Sequence, residues 1–177
     1  MPPGADAVRA MLSQARERST ISLDPNIRPA LLADHAAVVD RFERLARLAD
    51  IVKMSDEDRE WLYPGEGADA VAARLVETGA PLVVVTRGAH GAIAMTRDGS
   101  RDVAPVATSV VDTVGAGDSF MSALLGSLHA ASLLGAAGRV AFPPGALEPH
   151  LSMAARAAAI TVSRAGANPP DARDLLQ

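Results

Sequence analysis

The sequence predicts an α/β fold, a doubly wound and mostly parallel sheet flanked by helices, in a chain of 177 residues. Three observations predict it. Hydrophobic positions alternate along the chain between helical spacing and short unbroken apolar runs, the pattern of strands joined by crossover helices. The run Leu82-Val83-Val84-Val85-Thr86 is apolar and β-branched, as a strand covered on both faces should be. The hydrophobic fraction is 49 % but aromatics make up only 3 %, so Ala, Val and Leu do the packing, which suits a sheet beneath Ala-rich helices.

The elements follow in order. Residues 6–18 have helical spacing, with Val8, Met11, Leu12 and Ala15 on one face. Thr20-Ile21-Ser22-Leu23 is a short strand that ends in Asp24-Pro25. Residues 34–48 return to helical spacing through Val38, Phe42, Leu45 and Leu48, and Ile51-Val52-Lys53-Met54 is strand-like again. Ser55 can cap a helix running to about Leu62, and a further helix covers 69–78. After the strand at 82–86, residues 92–96 and 101–106 form a hairpin across Asp98-Gly99. A helix begins near Gly117 and runs to about His129. Residues 142–149 form a Pro-rich loop before the last helix, 149–163.

Composition excludes several classes. Net charge is −4 with no block of like charges, so nothing invites nucleic acid or an anionic membrane surface. The absence of cysteine removes disulfides, thiolate metal sites and cysteine nucleophiles together. Met1-Pro2-Pro3-Gly4 opens no signal peptide, and no apolar run approaches the roughly 20 residues of a membrane span. A soluble cytoplasmic protein is the expectation. The four histidines share no ligand spacing and read as surface or loop residues. Trp61 and Tyr63 are expected to pack beneath the loop that follows the helix ending near Leu62.

The strongest chemical signal is Asp112-Thr113-Val114-Gly115-Ala116-Gly117-Asp118-Ser119-Phe120, placed between a β-rich stretch and an apolar helix. Small residues at Gly115, Ala116 and Gly117 let the backbone approach a ligand closely, and their amides with the helix start behind them make a concave site for anions. A carboxylate at Asp118 would repel an anion if it only bound one. It makes sense as a base taking a proton from a hydroxyl that attacks a phosphate. The bland alternative is a Gly-rich turn with Asp118 capping the helix.

This stretch resembles the D-T-x-G-A-G-D signature of ribokinase-type (PfkB) carbohydrate kinases, fructokinase-like in detail, and the resemblance runs from about residue 5 to residue 170. It implies a ribokinase-like fold and the C-terminal nucleotide-binding and catalytic portion of such a kinase, with ATP, Mg²⁺ and in many members K⁺. The remaining motifs take their implied roles from it. Thr86-Arg87-Gly88-Ala89-His90-Gly91 resembles the family's T-x-G-x-x-G turn, so Thr86, Gly88 and Gly91 are expected at the nucleotide. Lys53-Met54-Ser55-Asp56-Glu57-Asp58 stands in place of the family's N-x-x-E. That puts Lys53 and Ser55 at the nucleotide and Asp58 near Mg²⁺, directly or through an intermediary. Ser55 to Asp58 is equally a helix-capping pattern.

Asp24-Pro25-Asn26-Ile27-Arg28-Pro29 resembles the family's D-x-N-x-R segment, which gives Asn26 and Arg28 a place beside substrate or phosphate; the alternative is a Pro-bounded turn. Ser163 to Pro170 resembles the closing loop against adenine, with Asn168 at the nucleotide. Asp112 and the 164–166 backbone are then candidate K⁺ ligands, while a helix C-cap at Gly166 also explains that glycine.

Family members carry a further N-terminal portion with the first sugar-binding motif and a small β lid, which this sequence lacks. The expectation is therefore a kinase half, weakly active or inactive alone. Its acceptor would be fructose or a similar hexose. It would expose a sheet edge and apolar surface, and so form a homodimer or associate with a complementary N-terminal half. Two competing functions remain: a non-catalytic adenine-nucleotide-binding module, and a Rossmann-type dinucleotide binder. The second lacks its G-x-G-x-x-G after the first strand.

Overall fold

The computed structural model describes residues 4–135, 142 and 145–176. Residues 1–3, read above for a signal segment, and positions 143–144 of the expected Pro-rich loop lie outside them. The elements are α1 (Gly4–Ala15), β1 (Ser22–Leu23), α2 (His35–Ala46), β2 (Ile51–Ser55), α3 (Asp56–Leu62), α4 (Ala68–Glu77), β3 (Leu82–Thr86), β4 (Ala92–Thr96), β5 (Gly99–Val103), α5 (Ala116–Ala130) and α6 (Glu148–Val162). Among the described residues, no helix is long and apolar enough to cross a membrane.

The strands form one five-stranded sheet in sequential order. β1, β2 and β3 run parallel, with Ile51 opposite Leu82 and Ser55 opposite Thr86. β4 is antiparallel to β3, and β5 to β4. The sheet is thus mixed, and the reason is connection length. The links into β4 and β5 are tight turns, whereas a parallel neighbour needs a crossover of a dozen or more residues.

Alternation along each central strand divides the core in two. Val52, Met54, Val83 and Val85 face a cluster with Phe42, Ala46, Leu62, Val71 and Leu75 from α2, α3 and α4. Ile51, Leu82 and Val84 face the other way, into Phe120, Leu124, Leu128, Leu151 and Ala154 from α5 and α6. Both faces are dry, so strands β2 and β3 are apolar at nearly every position. Ser55 and Thr86 end the two strands half-buried, and Lys53 is the exception among the buried positions, at 3 % exposure.

Tyr63 is buried under α2 and α4, with Arg74 4.2 Å over its ring and Phe42 against its edge, and Trp61 stacks near His35. His150 contacts the Ser127 hydroxyl at 2.7 Å and so ties α6 to α5 rather than sitting idle in a loop. α1 has no buried residue: only Leu12 and Ala15 lean on the core, while Val8 and Met11 stay exposed. Of the apolar stripe read in this helix, Val8 and Met11 are therefore left uncovered among the described residues.

Candidate functional site

The first turn of α5 carries the central motif. Gly115 is the N-cap, in the left-handed conformation (φ 80°), and supplies no capping side chain. A Cβ there would lie 3.2 Å from the Ala167 Cβ, so glycine serves both the turn and the close approach of the chain after α6. The Ala116 amide donates to the Thr113 carbonyl at 3.3 Å. The amides of Gly115, Gly117 and Asp118 find no acceptor among the described residues. Helix starts leave such donors open, and the macrodipole favours an anion there. Asp118 is exposed, and its carboxylate accepts no hydrogen bond among the described residues. It does not cap the helix.

The base of this turn is fixed from below. The Ser119 hydroxyl accepts a hydrogen bond from buried Thr161 at 2.7 Å, joining α5 to α6. Asp112 accepts from the Val114 amide at 3.0 Å and the Gly166 amide at 2.9 Å. These bonds, Val114 first, hold its carboxyl below the usual carboxylate range. The alternative of a C-cap at Gly166 does not hold: α6 ends at Val162 with Ser163 as cap. Gly166 lies beyond it with φ 68°, its amide on Asp112.

The strand ends supply the other side. Ser55 and Asp58 form a complete capping box: the Ser55 hydroxyl accepts from the Asp58 amide at 3.0 Å, and Asp58 accepts from the Ser55 amide. Asp58 also accepts from the Ser55 hydroxyl at 2.9 Å and, through its second oxygen, from the Ile27 amide at 2.7 Å. Both carboxylate oxygens are engaged, and the Asp24–Arg28 loop is pinned to the start of α3. Within that loop Asn26 has φ 44° and its amide donates to Asp24 at 3.3 Å. Arg28 is exposed and hydrogen-bonds its own neighbour's carbonyl.

Asp24 accepts a hydrogen bond from Lys53 Nζ at 2.7 Å, and Nζ lies against Gly117. The structure thus brings together Asp24, Lys53, Gly117 and the neighbouring Asp118, from three separate motifs. Thr86 sits across from Ser55 at the paired strand ends, its hydroxyl donating to the Met54 carbonyl at 3.4 Å.

The two glycines of the following turn differ. Gly88 (φ 53°) faces open space, but a Cβ on Gly91 would lie 2.0 Å from the Val103 carbonyl oxygen. Gly91 thus serves the β4–β5 hairpin. Asn168 is exposed, with only its amide engaged, on the Gly166 carbonyl. An open depression of about 330 Å³ lies between residues 106–108 and α6, with Ser163 and Arg164 in its lining, and includes none of Asp24, Lys53, Thr86 or Asp118.

Sequence reading missed Asp24 as Lys53's partner, although it stands at the head of a quoted motif. It also missed the buried Ser119–Thr161 pair and buried Asp50, which accepts the Ile21 amide at 2.7 Å. A lone charge within an apolar strand, as at Lys53, is the signal that a buried partner must exist.

Comparison with known proteins shows the family and the fold. Residues 3–173 match the family described as pfkB family carbohydrate kinase. A fructokinase of Rhizobium leguminosarum bv. trifolii is 43 % identical over 132 residues, 75 % of this chain and 40 % of that protein. The crystal structure of a fructokinase with bound ATP from Xylella fastidiosa superposes with a TM-score of 0.80 at 29 % identity, over 92 % of this chain and 52 % of that one. An aminoimidazole riboside kinase from Salmonella enterica, complexed with aminoimidazole riboside and an ATP analogue, gives 0.78 at 26 % identity, over 93 % and 53 %. The chain therefore spans about half the length of these relatives, and its fold is ribokinase-like.

Proposed function

This chain belongs to the pfkB family of carbohydrate kinases, and from that premise we propose that it is the nucleotide-binding and phosphoryl-transfer portion of an ATP-dependent sugar kinase. The observation that carries the reading is the start of α5, where open amides and a free carboxylate occupy adjacent positions. The amides of Gly115 and Gly117, with Ala116 shaping the turn, receive the phosphate oxygens. Asp118 takes the proton of the attacking sugar hydroxyl. The hydroxyl oxygen then forms its bond to the γ-phosphorus in line as the bond to the β–γ bridging oxygen breaks, and ADP leaves with that electron pair.

Ser55, Thr86 and Gly88, at the C-terminal ends of paired strands and the turn beyond, border the nucleotide, with Asn168 near its base. Gly91 supports that turn from behind. Asn26 and Arg28, exposed on the pinned loop, face incoming substrate or phosphate.

Among the described residues, no group of three His, Asp or Glu side chains could hold a metal. The residues therefore fit a magnesium ion only as one carried by the triphosphate, with Asp58 acting on it indirectly through the capped α3 start. When bound, such an ion neutralises phosphate charge. For potassium the candidate is the Asp112 corner; both carboxylate oxygens there already accept amides, so an ion would rely on backbone carbonyls of 164–166.

The acceptor is fructose or a similar hexose, in keeping with the fructokinase relatives. Its main contacts come from the part of those relatives that this chain does not match. A complementary N-terminal half, or a second copy, would cover the exposed stripe of α1 and the β1 edge. Incubating the purified chain with Mg-ATP and fructose tests this division: no sugar-dependent ATP turnover is expected without the complementary half. Turnover by the chain alone would show that its sugar site is complete.

A further inference from the structure

The depression between residues 106–108 and α6 takes no part in the nucleotide reading, and its lining is chemically two-sided. α6 supplies most of it. The buried residues of that helix, Leu151, Ala154, Ala157 and Thr161 among them, recur at spacings of three and four. Arg156, Ile160 and Ser163 recur in the same way on the other side of the helix and line the depression. Val106 and Ala107 of the segment before Asp112 join Ile160 and Ala159 as its apolar part. A volume of about 330 Å³ is at the lower end of the range for small-molecule sites, so it suits a ligand of a few carbons.

The polar groups of the lining are mostly committed. The Thr108 hydroxyl donates to the Ala159 carbonyl at 3.4 Å, and the Ser163 hydroxyl to the Ile160 carbonyl at 2.7 Å. Arg164 spends its fork on the Pro169 carbonyl and on Asp174, at 3.2 and 2.9 Å. Arg156 differs: it is half-buried, and it forms no ion pair among the described residues. Its guanidinium is therefore the donor left for a ligand.

Charge limits what that ligand can be. Arg156 and Arg164 against Asp174 leave one net positive charge in the lining. A planar guanidinium fork matches a carboxylate bidentately. A dianion such as a phosphate monoester would bring a second negative charge towards Asp174 with no further cation to meet it. We infer that the depression is a binding site for a small organic monocarboxylate, with the carboxylate on Arg156 and an apolar body against Val106, Ala159 and Ile160. The site stands on its own residues and does not depend on the nucleotide reading.

Residue-resolved NMR titration of the whole chain with isovalerate provides the test. The comparison probes are 3-methylbutan-1-ol, which keeps the apolar body without the charge, and inorganic phosphate, which keeps charge without the body. Isovalerate should saturate at about millimolar concentration, shifting amides at 106–108 and 156–164, and should do so equally in saturating Mg-ATP. Arg156→Gln should weaken it about 10-fold or more, as loss of a charged hydrogen bond does. Ala107→Glu, at an exposed position where the fold tolerates a polar side chain, should weaken it similarly by cancelling the net charge. Absence of saturation below about 50 mM, equal binding of the alcohol or of phosphate, or unchanged affinity in both variants would each overturn the inference. Displacement by Mg-ATP would overturn it too, because the depression would then belong to the nucleotide site.

Discussion

Replacing Asp58 by Ala separates two jobs for one carboxylate. Asp58 is 8 % exposed, and its oxygens accept from the Ile27 amide and from the Ser55 amide and hydroxyl. Truncation would leave two backbone donors without their partner in a part-buried setting. It would also break the reciprocal cap of α3. Loss of a cap costs about 1 kcal/mol, and a buried donor left unsatisfied about 1–3 kcal/mol. With water reaching part of the site, the sum is about 2–4 kcal/mol. Urea unfolding in metal-free buffer without nucleotide measures it, because the cap acts whether or not a ligand is present. A loss below about 1 kcal/mol, joined to loss of the magnesium dependence of nucleotide binding, would refute the argument. It would mean that the carboxylate works on the metal and that the loop is held by other contacts.

Gly91→Ala should destabilise the chain by about 3 kcal/mol or more, because φ is +77° and the new Cβ would meet the Val103 carbonyl and the Pro105 nitrogen, both backbone. A fall in melting temperature checks this, and a loss under about 1 kcal/mol would show a loosely held hairpin. Asp112 titrates below its ordinary 3.8 when folded. Its contribution is therefore full above that pH and is lost as pH falls through the lowered value. Melting temperatures of Asp112→Asn should fall less steeply than wild type between about pH 4 and pH 2; an equal or steeper fall would contradict the tether to Gly166.

What was legible in the sequence is what local chemistry specifies. β3 could be read because a strand dry on both faces has no polar positions to confuse its limits. The α3 capping box was legible because its donors and acceptors lie three residues apart. The start of α5 was legible because small residues and one carboxylate are placed there in a fixed order.

The rest depends on contacts between distant segments. Lys53 meets Asp24 only once β1 and β2 pair in register, with Ser22 opposite Ile51. Gly91 and Gly88 look alike in a turn, and only the returning strand β5 distinguishes them. Gly166 had a sufficient local explanation, so nothing in its neighbours pointed to Asp112. The mixed sheet comes from the two short connections around β4, which force antiparallel pairing with both β3 and β5. The stripe of α1 has helical spacing whether or not anything covers it.

The central claim is that Asp118 is the base of a phosphoryl transfer. The direct measurement is fructose-dependent ADP release by this chain joined to a complementary N-terminal sugar-binding portion, with and without Asp118→Asn. The account predicts turnover in the wild type, a fall of about 10²–10⁴-fold or more in the variant, and little change in Mg-ATP affinity. Variant activity within about tenfold of wild type would contradict the assignment. ATP binding with no transfer in the joined wild type would instead identify a non-catalytic adenine-nucleotide module.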